Sequence, residues 1–222
     1  MPHGRHAGSG TDGMRMPKRY DRRYFDRWYR SGDAGVGRGP LLRRKVALAV
    51  AMAEHYLGRR LCSVLDVGCG EGAWRAPLLE LRPKLDYMGV DGSEYAVARY
   101  GATRNLRLAR FGQLGELRFG PSVDLLVCAD VLHYLPAAEL RRGLSGFAEM
   151  CHGMAHVETY CRGDPVEGDE HGFIPRTAAF YRRAMADAGF TACGSHGYLA
   201  PALADDAVAL ELIAPVARIV RA

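Results

Sequence analysis

The chain has 222 residues, a formal net charge of +5 and a hydrophobic content of 48%. That is enough for one well-buried core and too little for two ordinary domains joined by a linker. No uncharged apolar stretch approaches the roughly 18 residues of a membrane span, and the nearest, residues 46–53, runs straight into Glu54 and His55. No membrane partner is therefore expected. The charge is uneven: residues 1–45 hold 12 Lys or Arg against 4 Asp, whereas residues 46–222 hold 18 against 21 acids. Six cysteines (Cys62, Cys69, Cys128, Cys151, Cys161, Cys193) show no CxxC or other ligand-like spacing. They read as reduced, buried thiols of a cytoplasmic protein, with no metal site.

Residues 1–16 are rich in Gly, His and Ser and lack an apolar segment of the kind a secretory signal needs, so they read as a flexible leader. Residues 17–60 read as a basic, aromatic arm followed by a helix. In PKRYDRRYFDRWYR (17–30), helical spacing sets Tyr20, Tyr24 and Trp28 on one face and Phe25 and Tyr29 on another. Three uses of this arm fit its residues. Tyr24, Trp28 and Tyr29 can close over a ligand as a lid. Alternatively, Phe25 and Trp28 fasten the arm to the core while Arg22, Arg23, Arg27 and Arg30 face water. In the third reading, aromatics among cations stack on single-stranded RNA. A Gly-rich turn then leads into an apolar pattern of helical period over 41–57, closed by Gly58.

From residue 61 short apolar runs alternate with helical stretches. Strands are expected at 62–67, 85–90, 106–111, 123–129, 154–160, 191–199 and 207–213, and helices at 73–81, 94–100, 137–150 and 177–188. The first five runs are continuously apolar, as suits a parallel sheet covered on both faces. The last two follow one another without a full helix between them, which predicts an antiparallel hairpin at the sheet edge. The class is α/β and doubly wound, over residues 61–222.

Val64-Leu65-Asp66-Val67-Gly68-Cys69-Gly70-Glu71-Gly72 sets a strand, a glycine-rich turn and the start of a helix in the order a nucleotide-type site requires. Glycine lets the backbone approach a ligand, and free N–H groups at the helix start favour an anion. Asp91 ends the next strand, where a carboxylate can accept both ribose hydroxyls. The spacing GxGxG after Asp66 differs from the GxGxxG of dinucleotide binders. It suits S-adenosylmethionine, whose ammonium meets the strand-end acid and whose carboxylate meets the helix start.

With VLDVGCGEGAW (64–74), YMGVDGSEYAV (87–97), ARFGQL (109–114) and VDLLVCADVLHYL (123–135), residues 41–214 resemble the class I S-adenosylmethionine-dependent methyltransferase superfamily. The resemblance implies a Rossmann-like sheet of seven strands in the order 3-2-1-4-5-7-6, mostly parallel with an antiparallel edge strand. It also implies that Asp66, Gly68 and Gly70 hold the methionine part and Asp91 the ribose, with Gly92 and Ser93 lining the turn, Ser93 doubling as a helix cap. Many relatives place an Asp after the third strand to receive the adenine amino group; here Gln113 stands there, and its carbonyl can accept the same bond.

After the fourth strand, Ala129-Asp130-Val131-Leu132-His133-Tyr134-Leu135 occupies the place that faces the transferable methyl in the superfamily. His133 is a candidate general base or a packing histidine. Asp130 is a candidate cofactor or substrate contact, or a cap for the next turn. Neither an NPPY-like nor a Pro-Cys motif is present, which argues against adenine and cytosine methylation in nucleic acid. Glu158 and the acidic run Asp164, Glu167, Asp169, Glu170 with His171 fall where substrate loops lie, or form a solvated loop. The expected activity is methyl transfer to a small molecule, with Tyr24, Trp28, Tyr29 and His133 as candidate substrate contacts. RNA methylation through the basic arm, or a non-catalytic cofactor-binding module, are the alternatives.

Overall fold

The computed structural model describes residues 20–30, 39–166 and 169–213. The leader expected at 1–16, part of the arm and Glu167 lie outside the described residues. In chain order the elements are helices α1 (Arg22–Tyr29) and α2 (Gly39–Leu57), strand β1 (Ser63–Val67), α3 (Arg75–Leu81), β2 (Asp86–Asp91), α4 (Glu94–Arg104) and β3 (Leu106–Leu108). There follow β4 (Val123–Ala129), α5 (Ala137–Leu144), α6 (Phe147–Met150), β5 (Cys151–Glu158), α7 (Ala178–Asp187), β6 (Thr191–Gly194), β7 (Gly197–Leu199) and α8 (Pro201–Asp206). The sheet order is β3-β2-β1-β4-β5-β7-β6, with β1 to β5 parallel and β7 antiparallel to both neighbours.

The continuous apolar runs are strands because both sheet faces are buried. Period-2 alternation sends Val64, Leu125, Val127 and Met154 into one core layer with Leu42, Val46, Ala49, Val50 and Ala53 of α2. Leu65, Val67, Leu126, Cys128, Ala155 and Val157 enter the other, with Leu140 and Leu144 of α5 and Met185 of α7. The same alternation fixes the site: Asp66, between Leu65 and Val67, points to the α2 face at the carboxyl end of β1.

Helix α2 builds its apolar face into the same core as the strands. Three expectations are corrected. The helix expected over 137–150 breaks between α5 and α6, because Gly143 and Gly146 lie on the 3-10 turn Phe111–Gly115. A Cβ at Gly146 would meet the Leu114 carbonyl at 1.9 Å, and one at Gly143 the Phe111 ring at 2.3 Å. The run 191–199 is two strands, reversed by Ser195 and His196 at φ +46° and +65°. Residues 207–213 are no strand but a 3-10 turn at Ala209–Glu211, so the edge hairpin forms within the earlier run.

Of the six cysteines, all free, Cys69, Cys128 and Cys151 are buried but Cys62 is exposed. Among the described residues, no helix is long and apolar enough to cross a membrane.

Candidate active site

The carboxyl ends of β1, β2 and β4 open into a cleft of about 1400 Å³ that α1 borders on its outer side. Asp66, Gly68, Gly70, Asp91, Gly92, Asp130, His133, Tyr24, Trp28 and Tyr29 all line it. The loop after β1 is fixed from behind: the Gly68 and Cys69 amides donate to the Val90 carbonyl at 2.8 and 3.2 Å. Gly68, Gly70 and Gly72 lie at φ +70°, +55° and +77°, the left-handed region that disfavours a side chain. Space forbids one too. A Cβ at Gly68 would sit 2.2 Å from Val131 of the loop after β4, and one at Gly70 would sit 2.6 Å from the Tyr29 hydroxyl.

Asp66 is buried and accepts from the Tyr87 hydroxyl at 2.8 Å. Burial pushes its carboxyl up to about 7, with Tyr87 opposing and the Asp91 charge adding to the rise. Asp91 accepts from the Gly70 amide through one oxygen and the Ser93 amide through the other, both at 2.7 Å. Desolvation holds its carboxyl above the ordinary range against those two donors. Asp91 is therefore also a clamp that ties the glycine loop to β2. Ser93 caps α4 through the Ala96 amide at 3.1 Å, and its hydroxyl donates to the Tyr20 carbonyl at 2.6 Å.

Gln113 is placed otherwise than expected. Its side chain is exposed, folds back to accept from the Arg110 amide at 2.8 Å, and is absent from the cleft wall, which Phe111 and Leu114 of the same turn supply instead. Local capping of the 3-10 turn uses the carbonyl that adenine would need.

Across the cleft, Asp130 stands at φ +60°, with its amide donating to the Glu158 carbonyl at 2.9 Å. The turn that follows, Leu132–Tyr134, has Val131 at its N-cap. His133 is fully buried; its Nδ1 lies 3.1 Å from the Thr159 hydroxyl, and its ring packs against Tyr134, Tyr160 and Phe173. Glu158 pairs with Lys45 of α2 at 2.5 Å, and both line the cleft. Of the acidic run, Asp169 reaches the cleft, its carbonyl accepting from the Tyr134 hydroxyl at 2.5 Å. Asp164 caps its own turn at the Cys161 amide, and Glu170 and His171 are exposed.

The described part of the arm forms α1 along the cleft. Phe25 is 1% exposed and stacks on Tyr95, which fastens α1 to α4, while Tyr24, Trp28 and Tyr29 border the cleft. Arg22, Arg23 and Arg27 face solvent. Arg30, also exposed, in addition pairs with the buried Glu71 of the glycine loop at 2.5 Å and donates to the Tyr100 hydroxyl at 3.2 Å. Sequence reasoning missed this pair, although a charged residue inside a glycine loop was a signal for it.

Residues 65–153 match the family model of a methyltransferase domain. That domain match and the fold are consistent with the class I S-adenosylmethionine-dependent methyltransferase superfamily. Among solved structures it is similar to the Streptomyces venezuelae protein DesVI, with 16% identity, TM-score 0.60, and 81% of this chain and 97% of that one covered. It is also similar to the sugar N-methyltransferase KedS8 from Streptoalloteichus, with 18% identity, TM-score 0.59 and 90% and 99% covered. A third is the magnesium protoporphyrin IX methyltransferase of Synechocystis, with 21% identity, TM-score 0.54 and 78% and 84% covered. The chain spans only 58% and 51% of the length of two larger solved structures it matches. No curated protein matches it in sequence. These likenesses establish the fold, and the methyltransferase domain implies S-adenosylmethionine as cofactor. The cleft fits that cofactor on its own chemistry, since it holds a buried carboxylate at Asp66 with no cation paired to it among the described residues and the left-handed glycines Gly68 and Gly70 on its wall.

Proposed function

We infer that the chain transfers a methyl group from S-adenosylmethionine to a small-molecule acceptor held between α1 and the ends of β4 and β5. The observation that carries this reading is one cleft in which Asp66, the glycine loop and Asp91 face Asp130, His133, Tyr24 and Trp28. When bound, the cofactor supplies an electrophilic methyl on a sulfonium. Asp66 would take its ammonium, the amides of the glycine loop its carboxylate, and Asp91 its ribose hydroxyls.

The remaining wall is aromatic and acidic, and it surrounds more room than a single ligand pocket of about 300–1000 Å³ offers. His133 is held by Thr159 and by three aromatic rings, so its first role is to shape this wall. Tyr24 and Trp28 of α1 would exclude water from the in-line displacement, in which alignment supplies much of the acceleration. A small acceptor is further supported by the absence of the nucleic-acid methylation motifs and by the small-molecule enzymes among the structural neighbours.

The test is incubation with methyl-labelled S-adenosylmethionine and cell extract separated into low-mass, protein and nucleic-acid fractions. Label should enter the low-mass fraction. Label confined to RNA would overturn the acceptor class, and no transfer to any fraction would leave a cofactor-binding module.

A further inference from the structure

We propose that Glu139, at the start of α5, is the residue that receives the adenine amino group, in place of a side chain following β3. The inference rests on the cofactor reading above and concerns which residue completes its adenine end.

With the ribose on Asp91, the base would lie along the rim built by Gly92, Ala109, Arg110, Phe111 and Leu114, which line the cleft beyond Asp91. These residues bring apolar contact and one guanidinium, but no side-chain acceptor. An exocyclic amino group is a donor, and burying it unpaired sacrifices most of the selectivity for adenine. Gln113, the acceptor by sequence position, is spent on the Arg110 amide and points to solvent.

Glu139 reaches the rim from the other side. A Cβ at Gly112 would lie 3.2 Å from its Cγ and 3.8 Å from its Oε1, so the carboxylate rests on the turn that Gln113 leaves. It is half-buried, lines the cleft, and makes no hydrogen bond or ion pair among the described residues. Its position is fixed, because α5 is locked to the Phe111–Gly115 turn by the close approach of Gly115 to the Arg142 carbonyl and of Gly143 to Phe111. A carboxylate carried on a helix thus covers a vacancy left in a loop.

Calorimetry on the full chain separates this from a general effect on the cleft, using S-adenosylhomocysteine and S-inosylhomocysteine, whose base carries an oxo group where adenine carries the amino group. Glu139→Ala should weaken S-adenosylhomocysteine binding about tenfold and leave S-inosylhomocysteine within twofold or tighter. Glu139→Gln, which keeps an acceptor oxygen, should recover most of the loss. Gln113→Ala should change neither ligand. Circular dichroism establishes that each variant is folded. Equal weakening of both ligands, or undiminished S-adenosylhomocysteine binding in folded Glu139→Ala, would overturn the assignment. A wild-type chain that binds neither ligand would overturn the cofactor reading itself, and Glu139 with it.

Discussion

Asp66 shows how burial and function oppose each other at one residue. Its carboxyl sits near 7 because its surroundings desolvate the charge, so below that pH it is mostly neutral and offers an ammonium little. A cofactor ammonium would favour the charged form, and the affinity for S-adenosylhomocysteine should therefore rise with pH. The expected profile steepens toward about tenfold per pH unit below 7 and flattens above it, as calorimetry between pH 5 and 9 would measure. A flat profile would remove Asp66 from the ammonium site. Asp66 and Asp91 were legible in the sequence because strand-end acids flanking a glycine loop have few other uses. Gln113 was misread because its own turn competes for its carbonyl, a local interaction that spacing does not encode.

Among the elements, the five parallel strands were legible because each is an apolar run buried on both faces. The break between α5 and α6 and the reversal at Ser195 and His196 were not, since the first arises from glycines meeting a distant turn and the second from two non-glycine residues in left-handed conformation. Nor did the sequence reveal how α1 is held. The Arg30 guanidinium joins it to Glu71, whose side chain is 4% exposed, so the latch acts on the cofactor loop itself. Arg30→Ala would leave that carboxylate buried without its cation. Because Arg30 is itself about a third exposed, the expected cost is roughly 1–3 kcal/mol, below that of a fully buried pair. The loss should loosen α1, with faster tryptic cleavage after Arg22, Arg23 and Arg27 and weaker S-adenosylhomocysteine binding as Tyr29 leaves Gly70. Unchanged digestion and affinity would show that α1 is held by Phe25 alone.

Across the whole molecule, the two ends of the parallel sheet respond to pH in opposite directions. At the carboxyl end, the raised value at Asp66 means that ionisation favours the unfolded chain. This carboxyl contributes stability that is complete below about 4 and is lost as pH rises through about 7. At the other end Asp124, 1% exposed, is desolvated yet lies well below the ordinary range, at about 2. It accepts from Arg59 at 2.6 and 3.0 Å, from the Cys62 amide at 2.7 Å and from His152 at 2.9 Å. Its contribution is complete above about 4 and is lost as pH falls toward 2. The unliganded chain should thus be most stable near pH 4, losing stability as pH falls from about 4 toward 2 through Asp124 and as it rises from about 4 to 7 through Asp66, and staying level above 7. Asp66→Asn should remove the fall between about pH 4 and 7 and gain on the order of 2–4 kcal/mol at pH 8, while abolishing the pH dependence of cofactor binding. Asp124→Asn should be less stable throughout and lose the acid fall. Saturating S-adenosylhomocysteine, by drawing Asp66 into its charged form, should raise the wild-type melting temperature more at pH 8 than at pH 6. Melting curves over pH 3–9 for the three chains check all of this, and a ligand-induced shift that shrinks at pH 8 would separate the buried carboxylate of β1 from cofactor binding.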